Sequence, residues 1–219
     1  MLIGVVADSH VGEFLTRMPD AALEALEGCD LLLHAGDLSV PGVLDELGSI
    51  APVLAVRGDH DRLDGLGLPE TLVVSAGGHR IGVVHGNRRR LVDGAMVAAD
   101  VVAGRALGWT AGLDAALTRR LGPVDLVVHG HWHRHRLRRV GTTIVWSPGA
   151  VCPWGNLEGR KRPRPGALGA VDRGVRRYRH QLGPDALRPA VGVIEVGSAG
   201  VRPRRVQLPW ESTAPVVVA

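Results

Sequence analysis

The chain has 219 residues, 45% of them hydrophobic, enough to bury one sizeable core and within the usual range of a single domain. Phe and Tyr occur once each, so the core must be built mainly from Val, Leu, Ile and Ala, as suits an α/β protein. Net charge is +4 with arginines clustered at 88–90, 134–139, 160–164 and 202–205; such a surface favours anions, but basic runs are more often solvated faces, so charge names no partner.

Leu2 to Ala7 is a short, partly β-branched apolar run that meets Asp8-Ser9-His10 at once, which reads as a buried strand ending in a loop. The run is too short for a signal peptide or a membrane span, so neither export nor a membrane partner is expected. Asp20 to Glu27 and Val43 to Leu47 carry apolar residues at three- and four-residue spacing, as crossover helices should. Between and after them, Leu31 to Ala35 leads into Gly36-Asp37, and Val53 to Val56 into Arg57-Gly58-Asp59-His60-Asp61. Each strand delivers an acid at its C-terminal end, in repeated βα winding.

Leu72 to Ser75 and Arg80 to Val84 flank Gly77-Gly78, a hairpin signal, and the second strand runs into His85-Gly86. Residues from about Val92 to Leu121 are rich in Ala and Leu and predict one or two helices, broken near Gly108 or Gly112. Asp125 to Val128 then meets His129-Gly130-His131-Trp132-His133, and Thr143 to Trp146 leads into Ser147-Pro148-Gly149. From about 152 to 189 the composition turns to Arg, Gly and Pro, read as a mobile insertion with a short helix near Val171 to Gln181. Val191 to Val196 and Val201 to Leu208 predict a final hairpin. The chain is thus read as one domain over 1–210 and a loose tail over 211–219.

Five strand ends deliver Asp-x-His, Gly-Asp, Gly-Asp-His-Asp, His-Gly and Gly-His-x-His in that order, and open α/β sheets place their sites at such ends. Three carboxylates and four imidazoles crowded together call for cations to neutralise them. Cys29 and Cys152 are the only cysteines and fit no CxxC spacing, so thiolate ligation and a disulfide framework are not expected, and a reducing cytoplasm is.

These five motifs resemble those of the calcineurin-like metallophosphoesterases, and the short Asp37-to-Asp59 spacing is similar to their small bacterial and archaeal phosphodiesterase branch. The resemblance implies a four-layer αββα sandwich of two mixed β-sheets flanked by helices. It implies Asp8, His10 and His133 on one metal, Asp59, His85 and His131 on the other, and Asp37 bridging them. It further implies hydrolysis of a small phosphoester, a phosphodiester above a monoester, by a hydroxide held between two divalent ions about 3.5–4 Å apart. Mixed nitrogen and oxygen ligands suit Mn²⁺, Fe, Zn²⁺, Co²⁺ or Ni²⁺, with Mn²⁺ the leading expectation. His60 would assist the leaving group, with Asp61 orienting it.

Arg57 and Arg88 stand beside site motifs and are the arginines expected to reach a phosphate. The departure from the family pattern is Asp59, where Asn is usual: aspartate can ligate but cannot donate a hydrogen bond to substrate. A nuclease or nucleic-acid binder is the less favoured reading, since no nucleic-acid module is visible and the basic residues are spread along the chain. A noncatalytic scaffold of the same fold is the third, against which the intact histidines count. The sequence is silent on oligomeric state.

Overall fold

A computed structural model describes residues 1–61, 67–88, 92–95, 98–99, 112–152, 166, 169–170, 173–174, 181 and 184–209. The first sheet has the order β10-β9-β1-β2-β3. Its strands are β1 (Leu2–Val6), β2 (Leu31–His34), β3 (Val53–Ala55), β9 (Ala190–Gly197) and β10 (Gly200–Gln207). β1, β2 and β3 run parallel, β9 pairs antiparallel with β1, and β10 pairs antiparallel with β9. The second sheet has the order β4-β5-β6-β8-β7. It comprises β4 (Thr71–Ala76), β5 (His79–Val84), β6 (Leu126–Val128), β7 (His135–Val140) and β8 (Thr143–Pro148), with β5, β6 and β8 parallel.

Strand alternation sorts the apolar residues into three layers. Ile3, Val5 and Ala7 of the β1 segment, with Leu33, Ile194 and Val196 of the same sheet, face Ile81, Val83, Leu126, Val128 and Trp146 of the second sheet and close the space between the two. Val6, Leu32, Val191 and Val193 point the other way. They are covered by Ala22 of α1 (Asp20–Glu24), by Leu26 just after it, and by Val43 and Leu47 of α2 (Gly42–Gly48). On the far side of the second sheet, Val84, Val127 and Val145 meet Leu113, Leu117 and Leu121 of α3 (Leu113–Leu121). Helix, sheet, sheet, helix is the sandwich that the motifs implied. Trp146 is fully buried at its centre, under Gly192, where any Cβ would run into the indole ring.

Most expected elements stand within a residue or two of their predicted ends, and Gly77 and Gly78 turn the β4–β5 hairpin with φ of +56° and +82°. β7 is the strand the sequence did not announce. Its His135-Arg136-Leu137-Arg138-Arg139-Val140 reads as a basic surface run because it is an edge strand, with Leu137, Arg138 and Arg139 all exposed. Of the one or two helices expected over 92–121, helical residues 92–95 and 98–99 and α3 are described; α3 begins just after Gly112, one of the two glycines at which a break was expected, while Gly108 lies outside the described residues. Most of the expected 152–189 insertion and the tail beyond 209 lie outside the described residues, though α4 (Pro184–Leu187) falls within the insertion's bounds. Among the described residues no helix is long and apolar enough to cross a membrane.

Candidate metal centre

The parallel strands of both sheets end at one edge of the sandwich, and the loops that leave them are stitched together. Asp8 N–H donates to the Gly36 carbonyl at 3.1 Å, His10 N–H to Asp37 at 3.0 Å and Gly130 N–H to His85 at 2.9 Å. These loops turn sharply. Asp8, His10, Asp37, His131 and His133 all hold left-handed backbone, with φ between 46° and 72°. Such conformations cost on the order of 1–3 kcal/mol each and persist only where the surroundings impose them.

Two groups of donors result. The ligand atoms of Asp8, His10, Asp37 and His133 lie within 4.8 Å of one another, as do those of Asp59, His85 and His131. Asp37 Oδ2 stands between the groups, 3.5 Å from His10 Nε2 and 3.2 Å from His85 Nε2. His10 Nε2 and His133 Nε2 are 3.2 Å apart, and His131 Nδ1 is 3.3 Å from His85 Nε2 and 3.4 Å from Asp59 Oδ2. Two ligands each about 2.1 Å from one ion at a tetrahedral angle stand about 3.4 Å apart, so the spacings fit divalent metals. Three carboxylates among neutral imidazoles would offset three of the four positive charges of two such ions, leaving one for a hydroxide or a substrate oxygen.

The surroundings prepare these donors. His85 Nδ1–H donates to the Ala35 carbonyl at 2.9 Å, which fixes the tautomer and turns Nε2 toward Asp37. Asp8 is fully buried and accepts the His131 N–H at 2.9 and 3.0 Å. Burial pushes its carboxyl up to about 8, with the neighbouring Asp37 charge adding to the effect and His85 opposing it. Burial alone would depress His85, but the hydrogen bond and charge of Asp37 carry it up to about 9. The same partnership holds Asp37 well below the carboxylate range despite its own burial. Burial pushes His131 down to about 4, helped by the His85 charge. Glycines let the strand ends approach: a Cβ on Gly36 would stand 2.7 Å from His85 Nδ1 and 2.9 Å from Gly58 N.

One expected role is corrected. Asp61 does not orient His60. Its buried carboxylate accepts the N–H groups of Asp37 (2.8 Å), Ser39 (2.9 Å) and Gly58 (2.7 Å), tying the β2 and β3 loops together. Neighbours in a turn point different ways, and the carboxylate that reaches His60 comes from Glu13, whose Oε2 is 2.8 Å from Nδ1. The hydrogen bond from His10 and the charge of His60 hold the Glu13 carboxyl below the usual glutamate range despite partial burial.

A cleft of about 890 Å³ opens beside the second donor group, lined by Arg57, Asp59, Asn87, Arg88, Leu117 and Arg120 among others. Asn87 Nδ2 donates to Asp59 Oδ1 at 2.5 Å. Arg57 pairs with Glu70 at 2.9 Å and Arg88 with Asp93 at 2.7 Å. Glu13, Asn87 and Asp93 escaped sequence reasoning because none belongs to a motif. Trp132 packs against the outer core of the second sheet and edge-on to His131, with centroids 4.9 Å apart. His34 and His129 are buried apart from both donor groups, and burial pushes each down to about 4.

Residues 1–164 match the calcineurin-like phosphoesterase superfamily domain. The chain belongs to that superfamily. A probable metallophosphoesterase of Methanothermobacter thermautotrophicus is 31% identical over 150 residues, covering 68% of this chain and 77% of the relative. One from Methanocaldococcus jannaschii is 30% identical over 153 residues, covering 68% of each. Among solved structures, zinc-complexed Vps29 of Entamoeba histolytica shares the fold with a TM-score of 0.59 at 23% identity, covering 94% of this chain and 99% of that one. An archaeal phosphodiesterase does so at 0.58 and 17% identity, covering 95% and 100%. At these identities the superfamily fold is shared, and nothing further follows from them.

Proposed function

We propose that this superfamily member is a metal-dependent phosphoesterase that hydrolyses phosphodiesters in preference to monoesters. The observation that carries the reading is the position of Asp37 Oδ2, within 3.5 Å of an imidazole nitrogen in each of the two donor groups. Asp8, His10, Asp37 and His133 would hold one divalent ion, and Asp37, Asp59, His85 and His131 the other, with Mn²⁺ the first ion to test. Such a pair of ions supplies an activated water and neutralises phosphoryl oxygens. The chain's own residues do the rest. His60, half-buried beside His10 with ring centroids 4.8 Å apart, donates a proton to the departing alkoxide. Arg57 and Arg88, on the cleft wall, meet the phosphate's outer oxygens in exchange for their present acids. Asp59 adds negative charge where Asn is usual, which favours a monoanionic diester over a dianionic monoester.

The test is metal-stripped protein supplied in turn with Mn²⁺, Fe²⁺, Zn²⁺, Co²⁺ and Ni²⁺ and assayed on bis-p-nitrophenyl phosphate and p-nitrophenyl phosphate. Turnover is expected with at least one ion, faster on the diester. No turnover with any ion overturns the enzymatic reading and leaves a scaffold. Faster turnover of the monoester overturns the substrate preference.

A further inference from the structure

The loop after β1 carries an acid that lies three residues beyond His10 and outside every motif. Its root is firmly held. The N–H groups of Glu13, Phe14 and Leu15 all converge on the His10 carbonyl, at 3.2, 2.9 and 3.2 Å, and Gly12 N–H donates to Leu15 at 2.6 Å. Val11 and Leu15, on either side, are buried in the core beneath the helices. The turn therefore presents the Glu13 side chain in one place.

From there the carboxylate reaches two imidazoles and a hydroxyl. His10 Nδ1 is 3.2 Å from Oε2, His60 Nδ1 is 2.8 Å from Oε2 and 3.0 Å from Oε1, and Ser39 Oγ donates at 3.3 Å. Both rings offer the same nitrogen. An ionised carboxylate only accepts, so each Nδ1 facing it carries a proton, and in a neutral ring Nε2 is then the acceptor. For His10 that nitrogen faces His133 Nε2 at 3.2 Å and Asp37 Oδ2 at 3.5 Å, the first donor group.

These three side chains also lie close enough to hold a cation of their own. That arrangement would strip Nδ1 of His10 of its proton while Nε2 of the same ring serves the first donor group, leaving one imidazole ligating on both nitrogens. A shared acceptor needs no such ring. A carboxylate behind a ligating histidine is the usual device for setting tautomer and orientation, and here one carboxylate does so for two rings.

We propose that Glu13 is a positioning residue that straps His10 and His60 together, keeping Nδ1 of both rings protonated so that the bare Nε2 of His10 faces the metal and Nε2 of His60, once it has taken up a proton to make the imidazolium, gives that proton to the leaving group. The His60 half rests on the phosphodiesterase reading. The His10 half does not.

Long-range ¹H–¹⁵N correlation spectra of the full-length, metal-free protein test the tautomers directly, in wild type, Glu13→Gln and Glu13→Ala. Wild type should show His10 and His60 protonated at Nδ1, and Glu13→Ala should convert both rings largely to the Nε2–H form. Calorimetric titration with Mn²⁺ should show one of two binding events weakened about 10- to 100-fold in Glu13→Ala. In active protein, Glu13→Ala should lower kcat on an alkyl diester more than on bis-p-nitrophenyl phosphate, because only the poor leaving group needs a well-placed acid. Glu13→Gln keeps the side chain's shape and answers for folding. Unchanged tautomers and metal affinity in both variants overturn the proposal. An inactive wild type whose tautomers and affinity still respond to Glu13→Ala overturns the hydrolase reading and the His60 role, and supports the His10 strap.

Discussion

Gly36 is the residue whose replacement separates backbone strain from crowding at the centre. It holds φ of +92°, and a Cβ there would stand 2.7 Å from His85 Nδ1, 2.9 Å from Gly58 N and 3.0 Å from Gly58 Cα. Gly28, between α1 and β2, holds a similar φ of +78° with nothing within 4 Å of its would-be Cβ. An alanine in left-handed backbone costs about 1–2 kcal/mol. Forcing a methyl into packed surroundings adds about 1–3 kcal/mol. For a domain of this size each kcal/mol lowers Tm by about 2–4 °C. Gly28→Ala should therefore lower the Tm of the metal-free protein by about 2–8 °C, and Gly36→Ala, losing about 2–5 kcal/mol, by about 4–20 °C. Only Gly36→Ala should also weaken metal binding, since the methyl displaces His85 and the Gly58 loop that abuts Asp37. The measurements are thermal unfolding in chelator and Mn²⁺ titration of both variants. Equal Tm losses, or intact metal affinity in Gly36→Ala, would refute the claim that Gly36 sets the donor spacing.

Three further outcomes are expected. Asp8 and His85 keep protons in the metal-free folded chain up to about 8 and about 9, above their ordinary values of 3.8 and 6.5. Their contribution is therefore present at low pH and lost as pH rises through those windows. His34, His129 and His131, pushed down to about 4, act oppositely and cost stability as pH falls from 6.5 toward 4. Metal-free Tm should peak near about pH 6.5, and Mn²⁺ should raise Tm more at pH 8.5 than at pH 6, because ligation releases the held protons. An equal gain at both pH values would show that protons do not compete with the metal. Asp59→Asn removes one negative charge and should weaken Mn²⁺ binding while moving the ratio of kcat/KM toward the monoester; an unmoved ratio would discard the charge argument. Gly192→Val drives side-chain atoms into the Trp146 ring and should cost about 1–3 kcal/mol, read as a Tm loss of about 2–12 °C. A Tm within 1 °C of wild type would mean that the sheets part more easily than their packing implies.

The pattern of the fold was legible because each core strand is a short apolar run that stops at a polar residue. Leu31 to His34 and Leu126 to Val128 are such runs, and the acid or histidine after each marks the strand's end as well as the site. β7 was hidden for the opposite reason: an edge strand exposing arginines has no alternation to read. The spacing of the motifs carried the two donor groups, since strand ends in a parallel sheet meet at one edge whatever the loops do. Partners set by loop direction were not legible. Asp61 adjoins His60 in the chain yet turns away to accept three backbone N–H groups, while Glu13 reaches it across 47 positions through a turn built on the His10 carbonyl. Asn87 and Asp59 are joined in the same way, through loops whose paths depend on the assembled sheets.

The place of β1 has a consequence for the order in which a ribosome releases this protein. β1 is the middle strand of its sheet, bonded to β2 on one side and to β9 on the other. Every candidate metal ligand has been translated by His133, but the strand that seals β1 and covers Trp146 comes only with Ala190–Gly197. A nascent chain thus owns its whole donor set while its central strand still shows a bare, apolar edge, the kind of surface that recruits other chains or chaperones. Residues 153–183 lengthen that exposure during synthesis, so shortening them should raise the soluble yield of newly made protein and leave the yield on refolding the complete chain unchanged.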